Sequence, residues 1–373
     1  MNINHPVKSV LLLSSLTSSL LLTSLCAEVS QADIDSLLIA QEKNALSGFQ
    51  LAGYASFGYS DSKAEDGTFD LVNFSPIFHY GYSDILQFEG EVEFSVAADG
   101  ETEIDMEYAA ANLFLNNYMA LTVGKFMSPV GQFRQNFHPS WINKLPDAPV
   151  GFGHGGAALS SNVGAALRGG LPKVFGIRHN YVVYVSNPYT LEVAPDGDVD
   201  IKAEGSTSTN GTTPTVGGRY AIDPIGGMEI GISGAYGKIF ATDNNTSRDY
   251  NVLGADLTYH TGSFDLRGEY IEQNVGDSPD PSIIEGGKWQ AAYGQIAYQI
   301  DMLHLEPVLR YGFYKNPELE EKQTALGLNY LFSNNILAKV SYEFGDRTAP
   351  DEDTGIDTTE KTDKFLAQLA FGF

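Results

Sequence analysis

Glu89, Glu91 and Glu93 alternate with Phe88, Val92 and Phe94, so an extended chain places three carboxylates on one face and three apolar side chains on the other. Like charges spaced this way repel one another and must be hydrated, and together they make a negative field that concentrates cations. The alternation recurs. Asp265, Arg267 and Glu269 oppose Phe264, Leu266 and Tyr270, while Glu306 and Arg310 oppose Leu305, Pro307, Leu309, Tyr311 and Phe313. Lys339, Ser341 and Glu343 oppose Ile336, Ala338, Val340, Tyr342 and Phe344. Carrying this parity along the chain collects eleven acids on the polar faces: Glu89, Glu91, Glu93, Asp105, Glu107, Glu229, Asp256, Asp265, Glu269, Glu306 and Glu343. Seven bases share those faces: Arg168, Arg178, Arg219, Arg267, Arg310, Lys339 and Lys364.

A second set of polar groups, Arg134, His138, Lys144 and Asp147, lies in the segment 128–160. That segment holds too many Pro and Gly residues for a strand, yet it is richer in aromatic and apolar residues than a freely solvated loop. It therefore packs on something, either inward against the polar faces or outward as a cap.

Other chemistries read weakly. Asp196, Asp198 and Asp200 sit at calcium-loop spacing, but Ile201 stands where the sharp-turn Gly belongs and Thr207 where the bidentate Glu belongs. His138 and Ser140 are two residues apart, as on an esterase strand, but Pro139 separates them and the reading is non-enzymatic. Neither a metal centre nor a cofactor is expected. A net charge of −25 argues against nucleic-acid binding, which depends on concentrated Lys and Arg. Further acids, Glu192, Glu318, Glu320, Glu321, Asp351, Glu352 and Asp353, fall in connections and read first as a solvated surface.

The elements that must position these groups are hairpins. From residue 48 onward the chain divides into about 16 strands near the length a tilted membrane strand needs. Tight connections occur at Ser83-Asp84, Asn116-Asn117, Asp223 to Gly226, Thr261-Gly262, Asp301-Met302 and Ser333 to Asn335, with the residue types such turns require. Longer segments alternate with them, at 128–160, 188–213, 240–249, 276–286, 316–321 and 346–361. Short turns at one end and long loops at the other, with an even strand number, describe an all-β transmembrane antiparallel barrel. Its interior is expected to be wet, because a charge facing lipid at mid-membrane costs about 2–4 kcal/mol.

Both ends of the chain agree. Residues 1–27 read as a secretory signal peptide: Lys8, an apolar stretch through Leu22, and a small residue at Ala27. Its removal takes away the single Cys, Cys26. Residues 28–47 form a periplasmic leader that reads equally as a short helix capped at Ser30 and as an irregular segment. At the other end Phe365, Ala367, Leu369, Phe371 and Phe373 share one strand face, and Lys364, Leu366, Gln368, Ala370 and Gly372 the other. A closing strand that stops on Phe373 resembles the assembly signal of bacterial outer-membrane barrels. That resemblance implies handling by the barrel-assembly machinery and a setting of outer-membrane lipid and lipopolysaccharide.

A more specific likeness lies in Gly124-Lys125-Phe126, Ser128-Pro129-Val130-Gly131, His138-Pro139-Ser140-Trp141, Leu145-Pro146-Asp147 and Ser161-Asn162-Val163-Gly164. These runs resemble the phosphate-selective porin O and P type family. The resemblance implies about 16 strands, an inward-folded constriction loop carrying Arg134, His138, Lys144 and Asp147, passive diffusion of small solutes, and a homotrimer. The chain departs from that family where anions would be selected. No strand repeats Arg with a period of two, and the one such ladder is acidic. The residues therefore favour a porin that leans toward cations, whereas the family resemblance favours anions. A structural or adhesive barrel acting through its outer loops is the alternative from a different class.

Overall fold

The computed structural model describes residues 47–63, 66–193, 199–208, 213–242, 246–277, 286–351 and 354–373. The first half of the wall is β1 (Ser47–Ser62), β2 (Thr68–Tyr82), β3 (Leu86–Val96), β4 (Thr102–Asn116), β5 (Met119–Met127), β6 (Ser161–Val174) and β7 (Ile177–Ser186). A small hairpin comes next, β8 (Thr190–Val193) and β9 (Val199–Lys202). The wall resumes with β10 (Thr215–Asp223), β11 (Met228–Ala241), β12 (Thr246–Thr261), β13 (Phe264–Val275), β14 (Gly287–Tyr298) and β15 (Leu305–Lys315). It ends with β16 (Glu320–Ser333), β17 (Ile336–Pro350), β18 (Asp357–Lys361) and β19 (Lys364–Gly372).

Each wall strand pairs antiparallel with its neighbour in sequence, and β7 pairs with β10 past the β8–β9 hairpin. β19 pairs with both β17 and β1, from Tyr54 opposite Gly372 to Ser62 opposite Lys364, and so closes the ring. β8, β9 and β18 stand outside it, leaving the 16 wall strands that the hairpin rhythm predicts. Closure removes every unpaired sheet edge, which is the condition for strands to cross a bilayer. Among the described residues no helix is long and apolar enough to do so.

The parity of side chains holds around the wall. On β12, Arg248, Tyr250, Val252 and Asp256 are buried inside while Leu253 and Leu257 are exposed outside. Leu309, Tyr311, Leu326, Leu328, Val340 and Tyr342 continue an exposed apolar belt on β15 to β17. A belt of this extent is a surface for lipid rather than water. On β19 the two faces are those read from the sequence.

Several boundaries differ from expectation. β6 runs to Val174, where Phe175 (φ 52°) and Gly176 (φ 83°) make a two-residue turn to Ile177 that is absent from the tight connections expected. Both central positions of that turn need positive φ, and only the second is a Gly. The expected loop 240–249 is mostly strand, with β11 reaching Ala241 and β12 starting at Thr246. The expected loop 346–361 is largely a ribbon of β17 and β18, paired from Asp346 opposite Lys361 to Pro350 opposite Asp357. The expected signal peptide, the leader up to residue 46, Asp196, Asp198, Glu352 and Asp353 lie outside the described residues.

One irregularity re-aims the site. Glu91 pairs with Tyr108 and Val92 with Met106, so Glu107 is an extra residue in β4. This bulge turns both Glu107 and Tyr108 inward, while Met106 stays exposed. Simple alternation places Glu107 correctly but misassigns the rest of β4: the inward residues are Tyr108, Ala110 and Asn112, not Ala109 and Ala111.

Candidate functional site

The segment 128–160 leaves β5 and returns to β6, its base closed by Ser128 N–H donating to Ser160 O at 3.0 Å. Between those points it lies inside the barrel, and the bonds it makes to the far wall place it there. Gly131 N–H donates to Ser233 Oγ at 3.3 Å, and Phe133 N–H to Glu269 Oε2 at 2.8 Å. Gly131 has φ 78°, and a Cβ there would collide with Glu269 Oε1, so a residue with a side chain does not fit this approach. A π-helical turn, Phe133–Phe137, comes next.

The inward bases bind this segment. Arg310 donates to Asp147 O at 2.9 Å and Ala148 O at 3.1 Å, and pairs with Glu343 at 3.4 Å. Lys339 donates to Ser140 O, to Asn143 O at 2.8 Å and to Gln368 at 3.0 Å. Arg267 donates to Ile142 O at 3.2 Å, pairs with Asp265 at 2.7 Å and lies 4.2 Å above the Phe137 ring. Lys144 reaches out of the segment to Glu306 at 2.6 Å, and Asp147 reaches Lys364 on β19. Arg219 is held by Asp256 at 2.5 Å and Glu229 at 2.7 Å, and Gln132 of the segment donates to both acids. Buried guanidinium and ammonium groups with two or more acceptors each are well compensated, and removing either partner is costly.

An apolar core fills the space between the segment and the β6 to β15 wall. Phe133, Phe152, Leu159, Tyr189, Leu191, Ile201, Tyr250, Ile271, Trp289 and Tyr293 belong to it. Phe152 meets Tyr293 edge-on at 4.9 Å. The β8–β9 hairpin contributes Leu191 and Ile201, and β8 adds a short parallel pairing to β11. The expectation of a wet interior therefore fails on this side of the barrel, which the segment and its apolar core fill. Charges on the strands report which face is inward but not how far another segment fills the space.

The open side lies against β1 to β6, where two cavities flank the segment. The first, about 320 Å³, is lined by Glu89, Glu91, Tyr108, Arg168 and His138 among others. The second, about 360 Å³, is lined by Tyr54, Glu93, Glu107, Arg134, Asp147, His154 and again His138. β3 runs from the short-turn end at Leu86 toward the long-loop end at Val96, so its carboxylates span both cavities in order. Glu89 accepts from Asn112 at 2.8 Å and lies 3.7 Å from Arg168. Glu91, 1% exposed, accepts from Tyr54 Oη at 2.7 Å. Glu107 lies 3.4 Å from Arg134 and 3.6 Å from His154.

Two expected residues stand at the rims instead. Asp105 pairs across from Glu93 but is exposed at the long-loop end. Arg178, 68% exposed, lies 3.8 Å from Asp223 at the short-turn end. His138 and Ser140 share no hydrogen bond, since both ring nitrogens and the hydroxyl are without hydrogen-bond partners among the described residues. Sequence reasoning misses Tyr54, Tyr108, Asn112, Gln132, His154 and Glu204. Tyr54 and Asn112 carry a usable signal, as inward parity on strands beside β3, whereas His154 and Glu204 sit in aperiodic segments. Above the second cavity, His154 Nδ1 lies 2.8 Å from Glu204, and this hydrogen bond holds the Glu204 carboxyl below its usual range.

Phe373 completes the closure. Its N–H donates to Gly53 O at 2.9 Å and Gly53 N–H donates to Phe373 O at 3.0 Å. The ring covers Gly53 and stacks on Phe74 at 6.0 Å.

No protein-family model matches the chain, and no curated protein sequence matches it. Solved structures do. An anion-selective porin from Comamonas acidovorans has a TM-score of 0.60 at 13% identity, over 88% of this chain and 100% of that one. The outer membrane channel DcaP of Acinetobacter baumannii has a TM-score of 0.61 at 13% identity, over 88% and 98%. The trimer form of OmpT, an outer membrane protein of Vibrio cholerae, has a TM-score of 0.54 at 12% identity, over 88% and 99%. The chain has the fold of the outer-membrane porins.

Proposed function

We propose that this protein is a porin of the bacterial outer membrane, passing small hydrophilic solutes by passive diffusion and favouring cations. The observation that carries the reading is the charge left facing the open side. Five carboxylates line the two cavities, Glu89, Glu91, Glu93, Glu107 and Asp147, against two guanidiniums, Arg134 and Arg168. The remaining inward bases line neither cavity: Arg267, Arg310 and Lys339 hold loop carbonyls, Arg219 is held by Asp256 and Glu229, Arg178 pairs at a rim, and Lys364 pairs with Asp147, which leaves four carboxylates against the two guanidiniums. Carboxylates in a narrow wet space raise local cation concentration, and salt weakens the effect.

The exposed apolar belt supports a place in lipid. The closure at Phe373 is consistent with delivery by the barrel-assembly machinery, and the trimer form of a similar fold supports a homotrimer. The deep seating of the segment 128–160 supports its role as a constriction. The resemblance to phosphate-selective porins pulls the other way on selectivity, since Arg134 and Arg168 both face the cavities.

Reversal potentials in a salt gradient across a planar bilayer separate the two. The expected result is discrete conductance steps with cation preference at low salt, reduced when Glu89, Glu91 and Glu93 are all changed to Gln. Strong anion preference would restore the phosphate-type reading, and absence of steps would favour an adhesive barrel.

A further inference from the structure

We propose that His138 is the selectivity-determining residue of the passage, and that the charge on its imidazole sets how strongly cations are preferred. The inference rests on the permeation reading above. His138 lines both cavities, so it stands between them. Its side chain is 11% exposed, and neither ring nitrogen has a hydrogen-bond partner among the described residues. Buried polar groups without partners are rare and call for an explanation. The nearest carboxylate is Glu91, whose Oε1 is 3.9 Å from His138 Nε2, too far for a hydrogen bond and close enough for one to form on a small rotation. Glu91 is itself fixed by Tyr54, whose ring stands edge-on to the imidazole at 6.3 Å. The segment is anchored two residues further on, where Lys339 holds Ser140 O, so the imidazole is presented on a fixed support.

The groups that face it are Tyr54 on β1, Glu91 and Glu93 on β3, and Glu107 and Tyr108 on β4. Arg134, Asp147 and His154 of its own segment flank the second cavity, and Glu89 and Arg168 the first. Imidazole is the side chain that ordinarily changes charge between roughly pH 5 and 8. A neutral ring leaves the carboxylate ladder continuous across the junction. A protonated ring draws onto Glu91, cancels the central charge of the ladder and places a cation in the path of cations.

The test is the permeability ratio of cation to anion for the full-length channel in a planar bilayer between pH 8 and pH 5.5, with His138→Gln and His138→Phe beside wild type. Correct folding of each variant is checked by its faster migration on gels when unheated. The expected result is a wild-type ratio that falls by about threefold or more on acidification, the size of a lost central charge. His138→Gln and His138→Phe are both expected to lose most of that fall, each giving a ratio nearly flat between pH 8 and pH 5.5 whatever its value at pH 8. The same acid-dependent fall in both variants would assign the titration to His154 or to the carboxylates and overturn the proposal. A wild-type ratio that does not change with pH would overturn it as well. A wild type without cation preference at pH 8 would instead overturn the permeation reading, and this inference with it.

Discussion

Lys339 has its ammonium on two loop carbonyls and one side-chain amide, with 1% of the residue exposed. Strand parity alone puts Lys339 inside. It does not show that its partners lie 196 and 199 residues earlier in the chain, because alternation reports the side of a strand and not what occupies that side. The same holds for Arg310 and Arg267, which read as free lumen charges and are in fact bonded to Asp147 O, Ala148 O and Ile142 O. Replacing Lys339 with Met leaves two carbonyls without a donor, at a cost of about 1–3 kcal/mol each where water cannot reach them. The wall pairings of β17 are untouched, so the barrel is expected to form. Single-channel recordings should then show larger, noisier steps, and protease should cut the segment 128–160 more readily than in wild type. A trace identical to wild type would mean that the segment holds its place without this tether.

At the scale of elements, the bulge in β4 gives the sharpest test. Glu107 is the unpaired residue, and its deletion leaves Met106 opposite Val92 and Tyr108 opposite Glu91, as they already are. Every other β4 side chain keeps its face. The deletion should therefore insert normally, lose cation preference, and leave the Arg134 guanidinium without its 3.4 Å carboxylate partner. Failure to insert would show that the bulge is needed for wall curvature rather than for charge. The outward faces make a complementary case. Leu257 on β12 is exposed, and Leu257→Arg puts a charge toward lipid at a cost of about 2–4 kcal/mol near mid-membrane. Refolding into vesicles over a urea series should read that loss. The hairpins are legible in the sequence because tight turns carry Asn, Asp, Gly and Pro between alternating runs. The β6–β7 turn is not, since Phe175 occupies a position that usually takes Asn or Gly.

At the scale of the whole molecule, closure and filling are separable. Closure depends on Phe373, which exchanges both backbone hydrogen bonds with Gly53. Phe373→Ser keeps those bonds but uncovers Gly53 and removes the stack on Phe74, so less protein should reach the outer membrane while secretion to the periplasm is unchanged. Filling depends on segments without any period, which is why the sequence does not disclose it: Phe133, Phe152, Leu191 and Ile201 sit in no strand of the wall, yet they build its inner core. The space that remains lies along one side, in two cavities of about 320 and 360 Å³. A ring of 16 strands is ordinarily wide enough for an open aqueous channel. Conductance should accordingly be low for the strand number. Replacing residues 136–147 with a short Gly-Ser linker removes His138, Lys144 and Asp147 together with the loop residues that Lys339 holds and one of the two that Arg310 holds. The expected outcome is a several-fold rise in conductance and a fall in cation preference, as Lys339, Arg310 and Lys364 become exposed to the passage. Deleting the β8–β9 hairpin removes only Leu191, Ile201 and their neighbours from the far side of the core, and should change conductance much less. Equal effects from the two deletions would mean that the open path does not run along β3.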